Sequence, residues 1–182
     1  RMTQGRKTGR IELEYYDADD REALMGYTVL ITDPDGKETL CKGSPEEIVI
    51  ERPQLWWPNG MGDPALYTCR LVFETDGRQS DARTVTFGIR EYGYEWHDGI
   101  FRLKINGEPV YVKGGNWGMS EWLLRCRGEE YDTRVALHRH MHFNMIRNWI
   151  GSTTDEEFYD ACDRHGIMIW DDFWLNSHPN LP

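Results

Sequence analysis

Three charged residues lie within two apolar segments near the end of the sequence. Arg147 interrupts the segment NMIRNWI, and Asp171 and Asp172 directly follow the apolar run GIMIW. A guanidinium inside an apolar strand must find a carboxylate partner, because an unpaired buried charge costs several kcal/mol. Such a group can orient an acidic side chain or hydrogen-bond a polar ligand. The residues alone allow a salt bridge to either aspartate.

A βαβ unit is predicted to position these residues. The two apolar segments bracket a helical segment that opens at residues 152–154. Parallel strands require a crossover of this kind and are buried on both faces, which explains their nearly continuous apolar runs. Asp171 and Asp172 end the second strand, where α/β folds carry their chemistry. Because successive strand residues face opposite sides, at most one of the two faces the ligand side directly.

The helix of this unit has clear boundary signals. Thr154 and Glu157 fit a capping box, and Gly166 predicts the end of the helix. Phe158 and Cys162 lie four residues apart and are predicted to face the sheet.

A second helix precedes the unit. The segment YDTRVALHRHMHF predicts a helix with Asp132 or Thr133 as its cap, and a hairpin turn is predicted at Asn-Gly 106–107. From Val110 onward the order is therefore β, α, β, α, β, which is typical of a parallel α/β domain.

Residues 10–90 are predicted to be all β. Short alternating segments are separated by turn signals such as Asp-Pro-Asp-Gly at 33–36, and this spacing indicates an antiparallel sandwich.

The loop PQLWWPNGMGDPALY is aromatic and rigid. Trp56 and Trp57 are interpreted as packing residues, and a sugar-stacking platform is the alternative.

Composition excludes several classes of partner. The net charge is −10 and the pI is about 5.0, which argues against nucleic acid and anionic membranes. No apolar run approaches the roughly 20 residues of a membrane span, and no signal peptide is recognised. The four cysteines are interpreted as mostly buried thiols. His138 and His142 have zinc-ligand spacing, but no HExxH signature accompanies them, so neither metal nor cofactor is predicted.

Several motifs occur together in a recognisable order. They are LWWPNG, FGIR, NGEPVYVKGGNW, NMIRNW and EEFYDACDRHGIMIWDDF, and over residues 48–182 they resemble family 2 of the glycoside hydrolases. The resemblance implies a multidomain fold: an immunoglobulin-like β-sandwich over residues 1–92, then the first three βα units of a (β/α)₈ TIM barrel over residues 93–182. It also implies a retaining exo-glycosidase, with a glycoside or oligosaccharide as substrate in the full-length enzyme.

The resemblance assigns substrate-binding roles to residues at the carboxyl ends of the predicted barrel strands. The Arg of the second strand, Arg147, would hold the nucleophilic Glu, with a salt bridge inside the chain as the alternative. The six candidates are Asn116, Trp117, Arg147, Trp149, Asp171 and Asp172.

Both catalytic glutamates of the family would lie beyond Pro182, so the chain by itself is expected to be inactive. The segment Gly118-Met119-Ser120-Glu121 departs from the β-mannosidase pattern, because the Pro is absent and Glu121 replaces or displaces the Asp, whereas the nearby WLLR segment resembles the exo-glucosaminidase pattern. The resemblance as a whole favours the β-mannosidase or exo-β-glucosaminidase branch. The alternatives are a β-galactosidase type or a non-catalytic carbohydrate-binding or structural sandwich. A periplasmic or secreted location is expected of a glycan-degrading enzyme, and the sequence does not predict an oligomeric state.

Overall fold

The structure is a computed structural model of the 182-residue chain. It describes residues 8–12, 25–42, 47–75, 77–118 and 126–173. Two compact units are formed. The first contains residues 1–55, 65–93 and 104–108, and the second contains residues 56–64, 94–103 and 109–182.

The first unit is built from antiparallel strands. Their bounds are β1 Thr8–Glu12, β2 Met25–Thr32, β3 Glu38–Cys41, β4 Glu47–Glu51, β5 Leu66–Thr75 and β6 Arg78–Gly88. One sheet has the order β3-β2-β5-β6, and β1 pairs with β4 in another. The antiparallel arrangement predicted from the alternating segments is confirmed.

A single core joins these two sheets. Ile48 of β4 packs with Val29 and Ile31 of β2 and with Tyr67 and Cys69 of β5. The inward positions of β5 recur every second residue, as expected of a strand with one buried face. The alternating segments of the sequence predict such a pattern, and Tyr67 and Cys69 are both buried.

The predicted turn between β2 and β3 is present. The N–H of Gly36 donates to the carbonyl of Asp33 at 2.9 Å, and Gly36 has a φ of 83°. The Asp33 carboxylate also accepts from the backbone N–H groups of Asp35 and Lys37, at 3.0 and 2.8 Å. An aspartate that satisfies the backbone of its own turn explains why this tetrapeptide is so strong a signal.

Three further strands follow: β7 Tyr92–His97, β8 Ile100–Ile105 and β9 Glu108–Pro109. The predicted turn between β8 and β9 is confirmed, since Asn106 and Gly107 both have positive φ, at 52° and 81°. Asp98 and Gly99 make a similar turn between β7 and β8, which the sequence analysis did not identify. Both pairs belong to the Asn-Gly and Asp-Gly class that favours two-residue hairpins.

The second unit contains the predicted alternation. Its elements are β10 Gly114–Trp117, α1 Glu129–His140, β11 Met145–Asn148, a 3₁₀ turn Trp149–Gly151, α2 Glu156–His165 and β12 Met168–Asp171. The strands form a parallel sheet in the order β10-β11-β12. Two consecutive βαβ crossovers are therefore present, as the apolar runs indicated.

The helix starts differ from the predictions. Helix α1 follows Gly128, so neither Asp132 nor Thr133 is its cap. Helix α2 follows Asp155, which makes no side-chain capping bond, so the capping box proposed for Thr154 and Glu157 is not formed. At the other end the prediction is confirmed, because Gly166 ends α2 with a φ of 71°.

The two helices pack on one face of the parallel sheet. Phe158 and Cys162 of α2 are both buried, as predicted, and join Tyr131 and Val135 of α1 in the core. No helix among the described residues is long and apolar enough to cross a membrane.

The aromatic loop at residues 56–64 packs within the second unit. The indole of Trp56 is fully buried and donates to the carbonyl of Asp163 at 2.8 Å. The side-chain amide of Asn59 donates to the carbonyls of Arg139 and Phe143 at the end of α1, at 2.9 and 2.8 Å. The packing interpretation of Trp56 is thus confirmed over the sugar-stacking alternative.

Candidate functional site

Arg147 lies at the centre of the sheet face that is not covered by the helices. The register pairs Arg147 of β11 with Asn116 of β10 on one side and with Trp170 of β12 on the other. Residues that are paired across parallel strands share a face. Ile146, one residue earlier, is fully buried and belongs to the core on the helix side.

A two-point ion pair fixes the guanidinium of Arg147. Its Nε donates to Oδ1 of Asp172 at 3.0 Å, and its Nη2 donates to Oδ2 at 2.6 Å. Its Nη1 donates to the side-chain oxygen of Asn116 at 3.2 Å. The salt bridge that the sequence left open between two aspartates is therefore made with Asp172. A planar guanidinium held at three nitrogens has little freedom to reorient.

The ion pair leaves part of the guanidinium available. Arginine has five N–H groups, and three of them are used by Asp172 and Asn116. For the other two, one on each terminal nitrogen, no acceptor is found among the described residues. This edge of Arg147 can donate to a ligand or to a further carboxylate.

A cavity of about 560 Å³ opens over this face. It is lined by both polar and apolar groups. The lining residues are Val112, Gly114, Gly115, Asn116, Met145, Arg147, Trp170 and Asp172. A mostly apolar pocket with a few convergent polar groups is the usual form of a small-molecule site.

Gly114 allows the strands at the floor of this cavity to approach closely. A Cβ on Gly114 would lie 1.9 Å from the carbonyl oxygen of Met145, so only glycine fits beside β11 at this position.

Asn144 fixes the segment that leads into β10. Its amide oxygen accepts from the N–H of Lys113 at 2.8 Å, and its amide nitrogen donates to the carbonyl of Tyr111 at 3.0 Å.

A separate polar network lies on the helix side of the sheet. The buried amide nitrogen of Asn148 donates to Oδ1 of Asp171 and to the carbonyl of Thr153, both at 2.8 Å. The hydroxyl of Tyr159 also contacts the Asp171 carboxylate, at 3.3 and 3.4 Å. Burial, together with this carboxylate, raises the pKa of Tyr159. The network ties the ends of β11 and β12 together behind the cavity.

Three of the six predicted site residues meet at the cavity. They are Asn116, Arg147 and Asp172. Their roles toward substrate stay predictions. Asp171 lies on the opposite side of β12, in the network with Asn148, so the expectation that at most one aspartate faces the ligand side is confirmed.

The expectation for Trp117 is corrected by the structure. Its side chain is 3% exposed and stacks on Phe158 with ring centroids 5.2 Å apart. Its indole N–H donates to the hydroxyl of Thr153 at 2.9 Å. Trp117 directly follows Asn116 along β10, so the two side chains point to opposite faces and only Asn116 reaches the cavity.

Trp149 lies two residues after Arg147 and would share its face if the strand continued that far. Strand β11 ends at Asn148, and Trp149 begins the 3₁₀ turn, so strand alternation does not extend to it. Its side chain is half-exposed. Its contact with a ligand stays a prediction.

Trp170 is the cavity residue that sequence reasoning missed. It sits within GIMIWDDF, where an aromatic residue in an apolar run is expected to be core. Instead its side chain is 57% exposed and lines the cavity beside Arg147. Every second residue of a strand points to the same face, so alternation would have placed Trp170 on the face of Asp172, two residues later.

The parallel α/β unit carries a cavity with polar and apolar lining on its open face, and this is the usual form of a small-molecule site. The model of the family described as "Glycosyl hydrolases family 2" matches residues 1–90. Together with the similarities below, this match shows that the chain belongs to family 2 of the glycoside hydrolases.

The similar proteins are named as mannosidases. The chain is 40% identical over 145 residues to a mannosylglycoprotein endo-beta-mannosidase of Lilium longiflorum, covering 72% of this chain and 15% of that protein. It is 34% identical over 141 residues to beta-mannosidase B of Aspergillus terreus, covering 73% of this chain and 17% of that protein. The chain thus spans less than a fifth of the length of these two relatives.

A solved structure with the same fold extends the comparison. The beta-D-mannosidase of Dictyoglomus thermophilum superposes with a TM-score of 0.74 and 28% identity, over 94% of this chain and 23% of that one. The beta-glucuronidase of Parabacteroides merdae has a TM-score of 0.73 at 22% identity, which shows the fold alone.

Proposed function

We propose that the chain is part of a retaining exo-acting glycoside hydrolase of the β-mannosidase or exo-β-glucosaminidase type. The observation that carries the proposal is the arrangement of Asn116, Arg147 and Asp172 over one cavity, at the carboxyl ends of parallel strands. In parallel α/β barrels this end of the strands carries the active site. The names of the similar mannosidases support the sugar type.

The proposed architecture divides the chain near residues 92 and 93. The first part is an immunoglobulin-like sandwich, and the second part supplies the first three βα units of a (β/α)₈ barrel. The parallel order of β10, β11 and β12 supports this reading. Three strands do not close a barrel, so the other strands would come from further residues of the same polypeptide.

In this proposal the chain supplies one wall of the sugar pocket. Retaining hydrolysis needs two carboxyl groups about 5 Å apart across the scissile bond, one as nucleophile and one as acid/base. Asp172 is committed to a two-point ion pair, so it is not free to act as the nucleophile. The available edge of Arg147 would hold and orient the nucleophilic glutamate, which the proposal places beyond Pro182.

The coding sequence that follows Pro182 gives the first test. We expect an Asn-Glu pair at the end of the next barrel strand, and a second glutamate near the seventh strand. A reading frame that continues without them would contradict the proposal.

Hydrolysis gives the second test. A polypeptide that carries this chain within a complete barrel should hydrolyse p-nitrophenyl β-mannoside or β-glucosaminide, whereas the 182 residues alone should not. Turnover by the 182 residues alone would show that their own side chains suffice, and would refute the assignment of both catalytic groups to residues beyond Pro182.

A second candidate is an endo-acting β-mannosidase. The 40% identity to the lily mannosylglycoprotein endo-beta-mannosidase favours it. The same polypeptide should then release an oligosaccharide from a mannosylglycopeptide and leave aryl β-mannosides nearly untouched.

A further inference from the structure

The last paired residues of the parallel sheet carry hydrogen-bonding side chains. Trp117, Asn148 and Asp171 end β10, β11 and β12, and the register pairs Trp117 with Asn148 and Asn148 with Asp171. Trp117 packs on Phe158 of α2, so this row of side chains faces the helices. Asn148 is fully buried, and a buried amide is costly unless its hydrogen bonds are made. Its partners therefore indicate what it does.

The side chain of Asn148 joins the ends of two strands. Its amide nitrogen donates to the carbonyl of Thr153 and to Oδ1 of Asp171, both at 2.8 Å. Its amide oxygen accepts from the N–H of Thr153 at 3.3 Å. The two bonds to Thr153 close the loop that leaves β11, and the bond to Asp171 holds the end of β12 beside it.

Thr153 extends these contacts to the third strand. Its hydroxyl accepts from the indole N–H of Trp117 at the end of β10, at 2.9 Å. Thr153 is 1% exposed and Asn148 is fully buried, and hydrogen bonds are stronger where water is excluded. The four residues Trp117, Asn148, Thr153 and Asp171 form what we call the strand-end network.

Each strand residue of this network is the chain neighbour of a polar residue of the cavity. The three pairs of neighbours are Asn116–Trp117, Arg147–Asn148 and Asp171–Asp172. Neighbours along a strand point to opposite faces. The strand-end network therefore fixes, from the helix side, the backbone from which the cavity side chains project.

The network bears most directly on Asp172. This residue lies one position beyond the end of β12, and its N–H donates to the carbonyl of Asn148 at 3.3 Å, which is long for such a bond. The bond from Asn148 to Asp171 is shorter, at 2.8 Å, and the hydroxyl of Tyr159 reaches Asp171 only at 3.3 and 3.4 Å. A shift of Asp171 would carry the Asp172 carboxylate away from Arg147.

We propose that Asn148 is a positioning residue for the Arg147 site. Its side chain holds the carboxyl ends of β11 and β12 together, so that Asp172 meets the guanidinium of Arg147 with two hydrogen bonds. The relevance of this arrangement to glycoside hydrolysis rests on the proposed function, in which Arg147 orients the nucleophilic glutamate. The positioning itself does not.

NMR of the isotope-labelled 182-residue chain tests the inference through the Nε–H of Arg147. The signal is identified by its loss in Arg147→Lys. Asn148→Ala removes all three side-chain bonds of Asn148. We expect the Nε–H of Arg147 to exchange with water about tenfold faster in this variant, because its carboxylate partner is no longer held in place.

Asn144→Ala is the matched control. Asn144 is also a buried asparagine, 2% exposed, but its side chain bonds the segment before β10, through the N–H of Lys113 and the carbonyl of Tyr111. Urea unfolding should show a loss of stability in both alanine variants. Only Asn148→Ala should also speed the exchange of the Arg147 Nε–H.

Asp171 provides a second pair of variants, which decides the question if Asn148→Ala does not fold. The side chain of Asp171 is exposed, so its replacement should leave the fold intact. Asp171→Ala removes the acceptor of the Asn148 amide, whereas Asp171→Asn keeps an oxygen at that position. Exchange of the Arg147 Nε–H should be faster in Asp171→Ala and close to the parent rate in Asp171→Asn.

Three results would overturn the inference: the parent exchange rate in Asn148→Ala, equal acceleration in Asn144→Ala and Asn148→Ala, or equal rates in the two Asp171 variants. None of these measurements involves hydrolysis. A longer polypeptide that cleaves no glycoside would therefore refute the proposed function and leave the positioning role of Asn148 standing, while a failed exchange test would leave the proposed function untouched.

Discussion

The guanidinium of Arg147 and the carboxylate of Asp172 form a side-on ion pair with two parallel hydrogen bonds, of 3.0 and 2.6 Å. The side chain of Arg147 is 46% exposed and that of Asp172 is 18% exposed. The pair therefore has the geometry of a strong interaction in an environment that is only partly screened from water. The ion pair contributes more to fixing the orientation of Arg147 than to stabilising the fold.

Asp172→Asn should separate the effect of the ion pair on stability from its effect on the orientation of Arg147. We expect a loss of about 1 kcal/mol or less in the free energy of unfolding, because the pair is partly exposed. The Nε–H of Arg147 should lose its slow exchange in NMR spectra, because its carboxylate partner is gone. Asp98→Asn is the control, since Asp98 pairs with His97 on the open surface and should change neither quantity. A protected Arg147 Nε–H in Asp172→Asn would show that the ion pair does not hold the guanidinium.

The sequence predicted the strands and helices of this site correctly. It predicted less well to which face of a strand each side chain points. Phe158 and Cys162 were placed correctly because helical spacing fixes the face they share. Asn116 and Trp117 were both assigned to the ligand side, although neighbours on a strand point to opposite faces. Trp149 was placed by extending an alternation that ends at Asn148.

Two other features depend on information that local sequence does not hold. Thr154 and Asp155 are both good N-cap residues, and the chain uses Asp155, whose carboxylate accepts a hydrogen bond from Tyr131 of α1 at 2.7 Å. Trp170 carries no polar signal, and its role in the cavity follows only from its register beside Arg147. Long-range pairing decided both cases.

Trp117→Ala should unfold the second unit readily. The indole is buried against Tyr131 and Phe158, and removing a core tryptophan costs about 3–5 kcal/mol. Trp117→Phe keeps a ring but leaves the Thr153 hydroxyl without its indole donor, so a smaller loss of about 1–2 kcal/mol is expected. Urea unfolding followed by circular dichroism measures both. If Trp117→Ala kept full stability and lost sugar binding, the original ligand-side assignment of Trp117 would be right.

Asp132 makes a contribution to stability that depends on pH. Burial opposes its ionisation, but hydrogen bonds from Arg164 and His165 outweigh burial and lower the pKa of the carboxyl group. A lowered pKa in the folded state means that the contribution is full above the unfolded pKa of about 4 and is lost as the pH falls below it. The difference in unfolding free energy between the parent and Asp132→Asn should therefore be larger at about pH 5 than at about pH 3. Urea titrations across this range measure it, and a difference that grew toward acid pH would contradict the assignment.

Gly114→Ala tests whether the close approach of β10 and β11 shapes the cavity. The added Cβ would lie 1.9 Å from the carbonyl oxygen of Met145, so β10 must move away from β11. We expect a loss of about 2–3 kcal/mol, as for other overpacked sites. Gly115→Ala is the control, because its Cβ meets no atom within 4 Å and the backbone change is otherwise the same. Since Asn116 lies two residues after Gly114 on β10, the displacement should also disturb its hydrogen bond to Arg147. Equal stability of the two alanine variants would mean that β10 can shift without cost, and the cavity would then not depend on a glycine at this position.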